Sequence, residues 1–480
     1  MIFNSLTYFV LLIIVVTLYW TLPYRTRLIL IFVASLTFYG FWRVEFVPVM
    51  LLSVIVDYLV ALQIAKRADI KKKLLLISLT VNLGLLFYFK YLIFFADNAI
   101  GFANLLGADI DPLVLKIILP LGISFYTFQT ISYTVDVYRG LIKPEKDFVL
   151  YACYVTFFPQ LVAGPVLRAV EVIHQFKNRV EFSITHLILG VRRIIYGLFL
   201  KVVLADNIAP LVDAGFAMPL DTMSALDVWT LAFLFGFQIY FDFSAYSHIA
   251  LGSARLMGIS FPENFNFPYL ATSPKDFWRR WHISLSSWIR DYLYLPLAGI
   301  KVHDRSTGGL ANATLDKKKK TSLFLTWAIM GLWHGANWTF VLWGVYHAIA
   351  ISFYRILSPA VRGVNRKVQI VCGIVLTLPI MMLAWIPFRA ESLAMTFGMW
   401  IKVLDLSEYT YLGMRENTYL ITAIVLVGIV ATFLVKKKFI HFGEKNNLFY
   451  IGLESLIFAI IIPLILVFFR PISQFIYFQF

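Results

Sequence analysis

Charged residues and cysteines are both scarce in this sequence. Only 14% of its 480 residues are charged, and its two cysteines, Cys153 and Cys372, both lie in apolar stretches. Cysteines in such surroundings are typical of buried small side chains, so neither a disulfide nor a cysteine-ligated metal is expected. The sequence also lacks the metal-binding pattern HExxH and the GxSxG turn of serine hydrolases. We therefore expect no bound metal and no serine nucleophile from this chain.

The sequence also lacks the polar surface of a soluble protein. Hydrophobic residues make up 60% of the chain and aromatic residues 17%, with a mean hydropathy of +0.78. A net charge of +15 would suggest nucleic acid as the partner of a soluble protein. Here the basic residues gather in short loops between apolar segments, which is typical of topology signals beside anionic lipid headgroups. We therefore expect membrane lipid, and no nucleic acid, around this protein.

Long apolar runs are abundant and predict an all-α integral membrane protein. A helix needs roughly 20 predominantly apolar residues to cross a bilayer, and about eleven or twelve runs approach this length. They are Ile2–Leu22, Leu28–Phe41, Phe46–Ala65, Leu74–Phe95, Leu113–Val135, Leu187–Leu204, Val228–Ile249, Leu323–Trp333, Ala336–Tyr354, Val368–Phe388, Tyr419–Val435 and Leu448–Phe469. We find no internal repeat and expect one helical bundle over residues 1–480.

The charges between the runs predict the topology. Basic residues at Lys66–Lys73, Arg139–Lys146, Lys317–Lys320 and Lys436–Lys438 mark cytoplasmic loops, whereas the acidic loop Ala96–Pro112 suits the outer face. The first run has no basic residue before it and no cleavage site, so we expect it to be retained, with its N-terminus outside. The side on which the C-terminus lies stays open.

One apolar segment cannot be a straight span. Residues Phe157–Pro165 contain two prolines and a glycine. Non-helical backbone at membrane depth survives only where protein or a wet cavity satisfies it. The pattern therefore predicts a buried re-entrant turn.

A polar stripe and an aromatic stripe alternate along Asp276–Tyr294. On a helix, the aromatic stripe falls within roughly 80° of arc, and the polar stripe on another face. The aromatic stripe contains Trp278, Trp281, Leu285, Trp288 and Tyr292, and the polar stripe contains Arg279, His282, Ser286 and Arg290. One interpretation is a helix lying in the membrane interface. The other is that the polar stripe faces a cavity and receives an anionic ligand.

A histidine lies between two apolar runs in the segment Gly331–Trp338. An ionisable residue at membrane depth is costly and is either functional or satisfied inside the bundle. Around His334, the glycines permit close approach, Trp333 and Trp338 supply apolar walls, and Asn337 supplies a hydrogen-bonding group. Imidazole can take a proton from a hydroxyl and return it to a thiolate, as acyl transfer from a thioester requires. Composition alone leaves a structural and a catalytic role open.

With these two segments, the chain resembles the membrane-bound O-acyltransferase family in its bacterial alginate O-acetylase branch. Further motifs carry the resemblance, and they are PLGISFYTFQTISYTVDVYRG at Pro120–Gly140, FFPQLVAGPVLR at Phe157–Arg168, QIYFDFSAYSHIALG at Gln238–Gly252 and FIYFQF at Phe475–Phe480. Together they cover most of the chain, with a signature core over residues 120–350. The resemblance implies a fold of about eleven spans that encloses a tunnel across the membrane.

The resemblance also implies roles for individual residues. His334 matches the catalytic histidine of the family and His282 its second signature polar position. The expected donor-binding residues are Arg279, Arg280, Ser286, Arg290, Trp333 and Asn337, and those expected to line the tunnel are Asp242, Ser244, Tyr246 and Trp338. The loop after Asp242 departs from the branch, because Ala245 and His248 stand where glycine and aspartate are usual.

The reaction that the resemblance implies is O-acetylation of an envelope polysaccharide, either peptidoglycan or alginate. Acetyl-CoA would be the donor in the cytoplasm, and a periplasmic protein of the SGNH-hydrolase type would be the partner at the bacterial inner membrane. Two alternatives remain. A transporter or channel could use the same intramembrane charges, although no inverted repeat supports it. Within the family, D-alanyl transfer to teichoic acid would need a carrier protein as donor.

Overall fold

The computed structural model describes residues 3–162, 164–178, 180–300, 317–359, 363–443, 447–469 and 475–476. Every regular element in these ranges is a helix, which confirms the predicted all-α class. Of the motif Phe475–Phe480, the last four residues lie outside the described part. By spatial contact the chain forms two compact units, the first being Met1–Ile194 with Tyr246–Pro262 and the second Ile195–Ala245 with Glu263–Phe480.

Twenty-one α-helices are described. The helices of the first unit are α1 Leu6–Thr21, α2 Tyr24–Gly40, α3 Val47–Lys66, α4 Lys71–Leu86, α5 Leu92–Leu105, α6 Ile123–Tyr138, α7 Phe148–Thr156, α8 Ala169–Lys177 and most of α9 Ile184–Leu198. Those of the second unit are α10 Asp206–Phe216, α11 Ala225–Leu256 up to Ala245, α12 Pro274–Phe277, α13 Ile283–Trp288, α14 Leu295–Leu297, α15 Lys317–His334, α16 Trp338–Leu357, α17 Arg366–Leu383, α18 Trp385–Arg389, α19 Leu393–Leu404, α20 Glu416–Gly443 and α21 Asn447–Phe468.

Shorter helical segments connect several of these helices. The 3-10 turns are Val44–Phe46, Leu220–Thr222, Pro268–Leu270 and Leu406–Tyr409, and the π-helical segments are Phe87–Tyr91, Phe199–Ala205 and Ile289–Tyr294.

Seven described helical stretches are long and apolar enough to cross a membrane. They are Val44–Lys66, Lys71–Leu105, Ala225–Leu256, Trp338–Leu357, Arg366–Arg389, Glu416–Val435 and Ile451–Phe468. Two shorter apolar helices, Leu6–Thr21 and Leu393–Leu404, accompany them, and the second was not predicted. The protein is therefore a multi-pass membrane protein.

The predicted span Leu113–Val135 is wrong in its first half. The helix begins only at Ile123, directly after Gly122, whose φ is 71°. A Cβ on Gly122 would lie 2.6 Å from the carbonyl oxygen of Leu161, so a left-handed glycine is required here. The non-helical segment before the helix ends at Pro120 and this turn. The apolar run in the sequence does not show that its first half is not helical.

The predicted interruption at Phe157–Pro165 is confirmed as a buried turn. Phe157, Phe158 and Leu161 are fully buried, although α7 ends at Thr156. The backbone N–H of Phe158 donates to Ser35 Oγ at 3.1 Å, and the Gln160 amide donates to the Tyr154 carbonyl at 2.8 Å. Protein groups therefore satisfy this non-helical backbone, as burial requires.

In the second unit, α15 and α16 form a closely packed hairpin. A Cβ on Gly331 would lie 2.1 Å from the Phe340 carbonyl oxygen, and one on Gly344 would lie 2.0 Å from that of Trp327. Larger residues at these two positions would force the helices apart. The glycine before His334 thus serves helix packing, and the hairpin holds the histidine at its tip.

Candidate active site

His334 is the last residue of α15, at the turn of the hairpin. Its side chain is buried, with 6% exposed, and its ring centroid lies 4.9 Å from those of Trp333 and Trp343 and 5.2 Å from that of Phe388. The C-terminal end of a helix carries a partial negative charge, which stabilises a protonated imidazole. The structure therefore places the His334 imidazole in an apolar aromatic setting at the C-terminal end of α15.

Two further candidate residues, Asn337 and Trp338, follow His334 and have different surroundings. Asn337 is exposed and caps α16, since its side-chain oxygen accepts the Thr339 N–H at 3.0 Å. Trp338 follows it at the first position of α16, and 51% of its surface is exposed. Of the residues expected around His334, Trp333 has its ring against the imidazole.

The predicted continuous amphipathic helix over Asp276–Tyr294 is wrong. α12 ends at Phe277 and α13 begins at Ile283, and between them His282 adopts φ 41°. The neighbouring segment takes over the hydrogen bonds, because the Ile283 N–H donates to the Asn264 carbonyl at 3.0 Å and the Asn266 N–H to the Arg280 carbonyl at 2.9 Å. The polar stripe is consequently split between separate elements.

His282 is held inside this break. The side chain is fully buried, and its ring packs edge-on against Phe243 at 4.6 Å between centroids. Its Nδ1 lies 3.2 Å from Asn264 Oδ1. Burial lowers the pKa of His282 to about 3, so the imidazole is neutral at physiological pH. A left-handed backbone at a residue other than glycine costs about 1–3 kcal/mol and occurs most often at functional sites.

The three arginines of the segment differ in their surroundings. Arg280 pairs with Asp276 at 3.0 Å, and Arg290 forms two bonds to the carboxylate of Asp291, at 2.8 and 3.2 Å. Asp291 is fully buried, so Arg290 neutralises an interior charge. Arg279 is exposed. Arg279 is therefore the better candidate for an anionic donor, while Arg290 has a structural partner.

Ser286, the fourth polar candidate on this segment, is half-buried, and its hydroxyl donates to the Trp281 carbonyl at 3.1 Å. This local hydrogen bond links α13 to the end of the preceding turn.

A continuous series of aromatic rings connects the two histidines within the second unit. It runs from His282 through Phe243, Phe265, Trp281, Trp385 and Trp343 to His334, with successive centroid distances of 4.6, 5.1, 5.2, 4.9, 6.3 and 4.9 Å. Rings in contact leave little room for water between them. The two histidines therefore share one apolar wall.

A third histidine, His347, belongs to the same wall and was missed in the sequence. It is buried to 1% exposure, with its ring 4.7 Å from Trp343, 4.9 Å from Trp278 and 5.4 Å from Trp327. Neither ring nitrogen has a hydrogen-bond partner among the described residues. The signal was available, because His347 is an ionisable residue inside the apolar span Trp338–Leu357.

The segment after Asp242 is not a loop, because it lies inside α11. Asp242 is buried and accepts from Lys201 Nζ at 2.6 Å and from the Ile476 N–H at 2.7 Å. Lys201 also pairs with Asp206 at 2.8 Å and lies 4.6 Å from the ring centroid of Phe475. The structure therefore places Asp242 in an ion-paired cluster that anchors the C-terminal segment.

The other two residues expected in the tunnel lie further along α11. Ser244 is buried in the second unit, and Tyr246 packs against Phe3 in the first, with ring centroids 4.3 Å apart. Among the described ranges, no group of three or more His, Cys, Asp or Glu side chains is placed to hold a metal ion.

Comparison with known sequences gives a consistent result. The sequence profile of the membrane-bound O-acyltransferase family matches residues 143–388. The chain is 37% identical to a probable alginate O-acetylase of Azotobacter vinelandii over 420 residues, covering 86% of this chain and 80% of the relative. It is also 37% identical to a peptidoglycan O-acetyltransferase of Helicobacter pylori, covering 75% of this chain and 70% of the relative. A teichoic acid D-alanyltransferase of Bacillus subtilis is 30% identical, covering 49% of this chain and 58% of the relative.

Proposed function

Because this chain belongs to the membrane-bound O-acyltransferase family, we propose that it moves acetyl groups from cytoplasmic acetyl-CoA across the membrane to an envelope polysaccharide. Its membership makes it a multi-pass membrane enzyme that transfers acyl groups, in place of the transporter considered from the sequence. The observation that supports the chemistry most directly is the buried His334 among Trp333, Trp343 and Phe388.

In the proposed reaction, His334 acts as general base and then as general acid. Its imidazole accepts the proton of the acceptor hydroxyl while the hydroxyl oxygen attacks the thioester carbonyl carbon. The carbon–sulfur bond then breaks, and the imidazolium returns the proton to the thiolate of CoA. The end of α15 stabilises the imidazolium, and the aromatic rings keep water from hydrolysing the acetyl group.

The donor would meet the enzyme from the cytoplasm. Arg279 is exposed three positions before His282 in the sequence, and a guanidinium can bind a phosphate of CoA in bidentate fashion. A tunnel through the helical bundle would let the pantetheine arm reach His334 from inside and the acceptor reach it from outside.

The acceptor side would involve a second protein. We propose a periplasmic partner of the SGNH-hydrolase type, which takes the acetyl group and places it on peptidoglycan or alginate. Two relatives support this choice, because their names give alginate and peptidoglycan as the acetylated polymers. The bacterial inner membrane is the proposed location, since acetyl-CoA is cytoplasmic and the polymer is outside.

Transfer by the purified protein tests the proposal. Radiolabelled acetyl-CoA is added to the enzyme in lipid, with the periplasmic partner and isolated glycan. The expected result is release of CoA together with label on the partner or the glycan. D-Alanyl transfer is the second candidate, and label from a D-alanyl carrier protein, with none from acetyl-CoA, would favour it instead.

Sidedness is tested separately in intact cells. Lys72 and Lys318 should be cytoplasmic and Asn104 outside, according to the positive-inside rule. Single cysteines at these positions are challenged with a membrane-impermeant thiol reagent after replacement of Cys372. Labelling at 104 alone is expected. Labelling at 72 or 318 from outside would invert the topology and contradict the proposed direction of transfer.

A further inference from the structure

Asn264 contacts His282 and has not been given a role so far. Its side chain forms hydrogen bonds to residues at the break between α12 and α13. Its Oδ1 receives the Ser284 N–H at 3.2 Å and the Ser284 hydroxyl at 2.9 Å, and lies 3.2 Å from His282 Nδ1. Its backbone carbonyl also accepts the Ile283 N–H at 3.0 Å. Asn264 thus contacts every residue from His282 to Ser284, and only 1% of its own surface is exposed.

These contacts determine which nitrogen of His282 carries the proton. A backbone N–H can only donate, so the Asn264 atom that faces Ser284 must be the carbonyl oxygen and not the amide nitrogen. The same oxygen faces His282 Nδ1, which must therefore be protonated and donate to it. In the neutral imidazole, Nε2 then carries the lone pair.

We propose that Asn264 is a positioning residue for acyl transfer, which fixes the tautomer of His282 and holds its left-handed backbone so that Nε2 is presented as a hydrogen-bond acceptor. This inference rests on the proposed function, because it needs His282 to take part in the reaction. His282 and Phe267 are the described non-glycine residues with positive φ, and of the two only His282 has its side chain fully buried. A residue held in this conformation needs surrounding contacts that outweigh the strain.

The test compares two substitutions at Asn264 with a matched control. Asn264→Leu removes the acceptor at similar size, Asn264→Asp keeps an acceptor oxygen, and Asn266→Leu makes the same change at an exposed side chain two positions away. We expect Asn264→Leu to lower kcat for acetyl transfer by about 10- to 100-fold, by analogy with the loss of groups that orient metal-bound histidines. The KM for acetyl-CoA should stay near its wild-type value, Asn264→Asp should restore most of kcat, and Asn266→Leu should leave both unchanged.

A double-mutant cycle separates positioning from folding. If Asn264 acts through His282, adding Asn264→Leu to His282→Ala should cause no further loss of kcat. An equal loss in both backgrounds would overturn the inference, and so would an Asn264→Asp variant as inactive as Asn264→Leu when both give a monodisperse protein. Full activity of His282→Ala would also overturn it while leaving the role of His334 intact. Absence of acetyl transfer by the wild-type protein would instead contradict the proposed function itself.

Discussion

The buried polar cluster around Asp57 in the first unit and the buried His347 in the second unit differ in their hydrogen bonding. In the first unit, Asp57 of α3 accepts from Asn82 Nδ2 at 2.5 Å, from Thr134 Oγ1 at 2.7 Å and from the hydroxyl of Ser78. Asn82 in turn accepts from Ser53 and Thr130. In the second unit, His347 makes no hydrogen bond to any described residue and is surrounded by aromatic rings.

This difference separates buried polar groups that stabilise the fold from buried polar groups that can take part in a reaction. A buried polar group without a partner costs about 1–3 kcal/mol, so such groups are rare unless water, a ligand or a reaction uses them. The Asp57 cluster ties α3, α4 and α6 together through hydrogen bonds. The His347 ring has no hydrogen-bond partner among the described residues, which costs stability. Substitutions at the Asp57 cluster and at the histidines of the second unit should therefore affect different measurements.

The largest effect is expected for His334→Ala. Loss of the general base should lower acetyl transfer by about 100- to 10,000-fold, while expression and thermal unfolding stay close to those of the wild type. His174→Ala, at an exposed histidine of the first unit, is the control and should be fully active. A His334→Ala variant with a third or more of wild-type turnover would contradict the assignment.

The reverse pattern is expected for Asp57→Ala. Three donors on α4 and α6 lose their acceptor on α3, so the free energy of unfolding should fall by about 3 kcal/mol or more. Thermal unfolding in detergent measures the loss, and turnover per folded molecule should not change. Asp97→Ala, at an exposed carboxylate of the same unit, is the control. Unchanged stability together with lost activity would mean that the first unit also contains chemistry.

A smaller effect on rate is expected for His347→Phe, which keeps an aromatic ring and removes both nitrogens. Turnover should fall about tenfold, equivalent to one hydrogen bond of about 1.4 kcal/mol in the transition state. Thermal stability should stay the same or rise, because an unpartnered polar group is replaced by an apolar one. The neighbouring Tyr346→Phe is the control, since that hydroxyl donates to the Ile380 carbonyl at 2.8 Å and its loss should reduce stability alone. Full turnover of His347→Phe would limit the chemistry to the other two histidines.

The smallest effect is expected at Arg279, the exposed arginine for which we propose a role in donor binding. Arg279→Glu should raise the KM for acetyl-CoA by about 3- to 10-fold with little change in kcat, because an exposed guanidinium contributes roughly 1 kcal/mol to binding a phosphate. Arg290→Glu should instead lower stability, since it leaves the buried Asp291 beside a second negative charge. Steady-state kinetics and thermal unfolding of both variants are compared. Equal KM values for wild type and Arg279→Glu would place the donor phosphates elsewhere.

Patterns within one segment of the sequence predicted the structure well. The apolar runs predicted the helical class, the prolines of Phe157–Pro165 predicted the buried turn, and the position of His334 between two apolar runs predicted its burial. In each case the cause lies in neighbouring residues, through helix propensity or the cost of a charge in lipid.

Features that depend on distant residues were missed. The predicted helix through His282 is broken because Asn264, 18 positions earlier, forms hydrogen bonds at the break. The two stripes were predicted on the assumption of one continuous helix, so the break could not be seen from this segment alone. The partner of Asp242 is Lys201, 41 positions away on a separate helix. The position of His347 inside an apolar run was a signal within one segment that the prediction overlooked. The lack of hydrogen-bond partners at His347 is visible only once the surrounding tryptophans are in place.

The cluster around Asp242 also sets an order of assembly during synthesis. Its ion pair with Lys201 can form as soon as α11 has emerged, but the N–H of Ile476 belongs to a residue made 234 positions later. At 5–20 residues per second, this interval lasts roughly 10–50 s. During that time Asp242 lacks the Ile476 N–H and Lys201 lacks the ring of Phe475. A chain whose synthesis stops within α20 or α21 would therefore keep the Lys201–Asp242 ion pair but lack the contacts of Phe475 and Ile476, and we expect it to be degraded faster than the complete 480-residue chain.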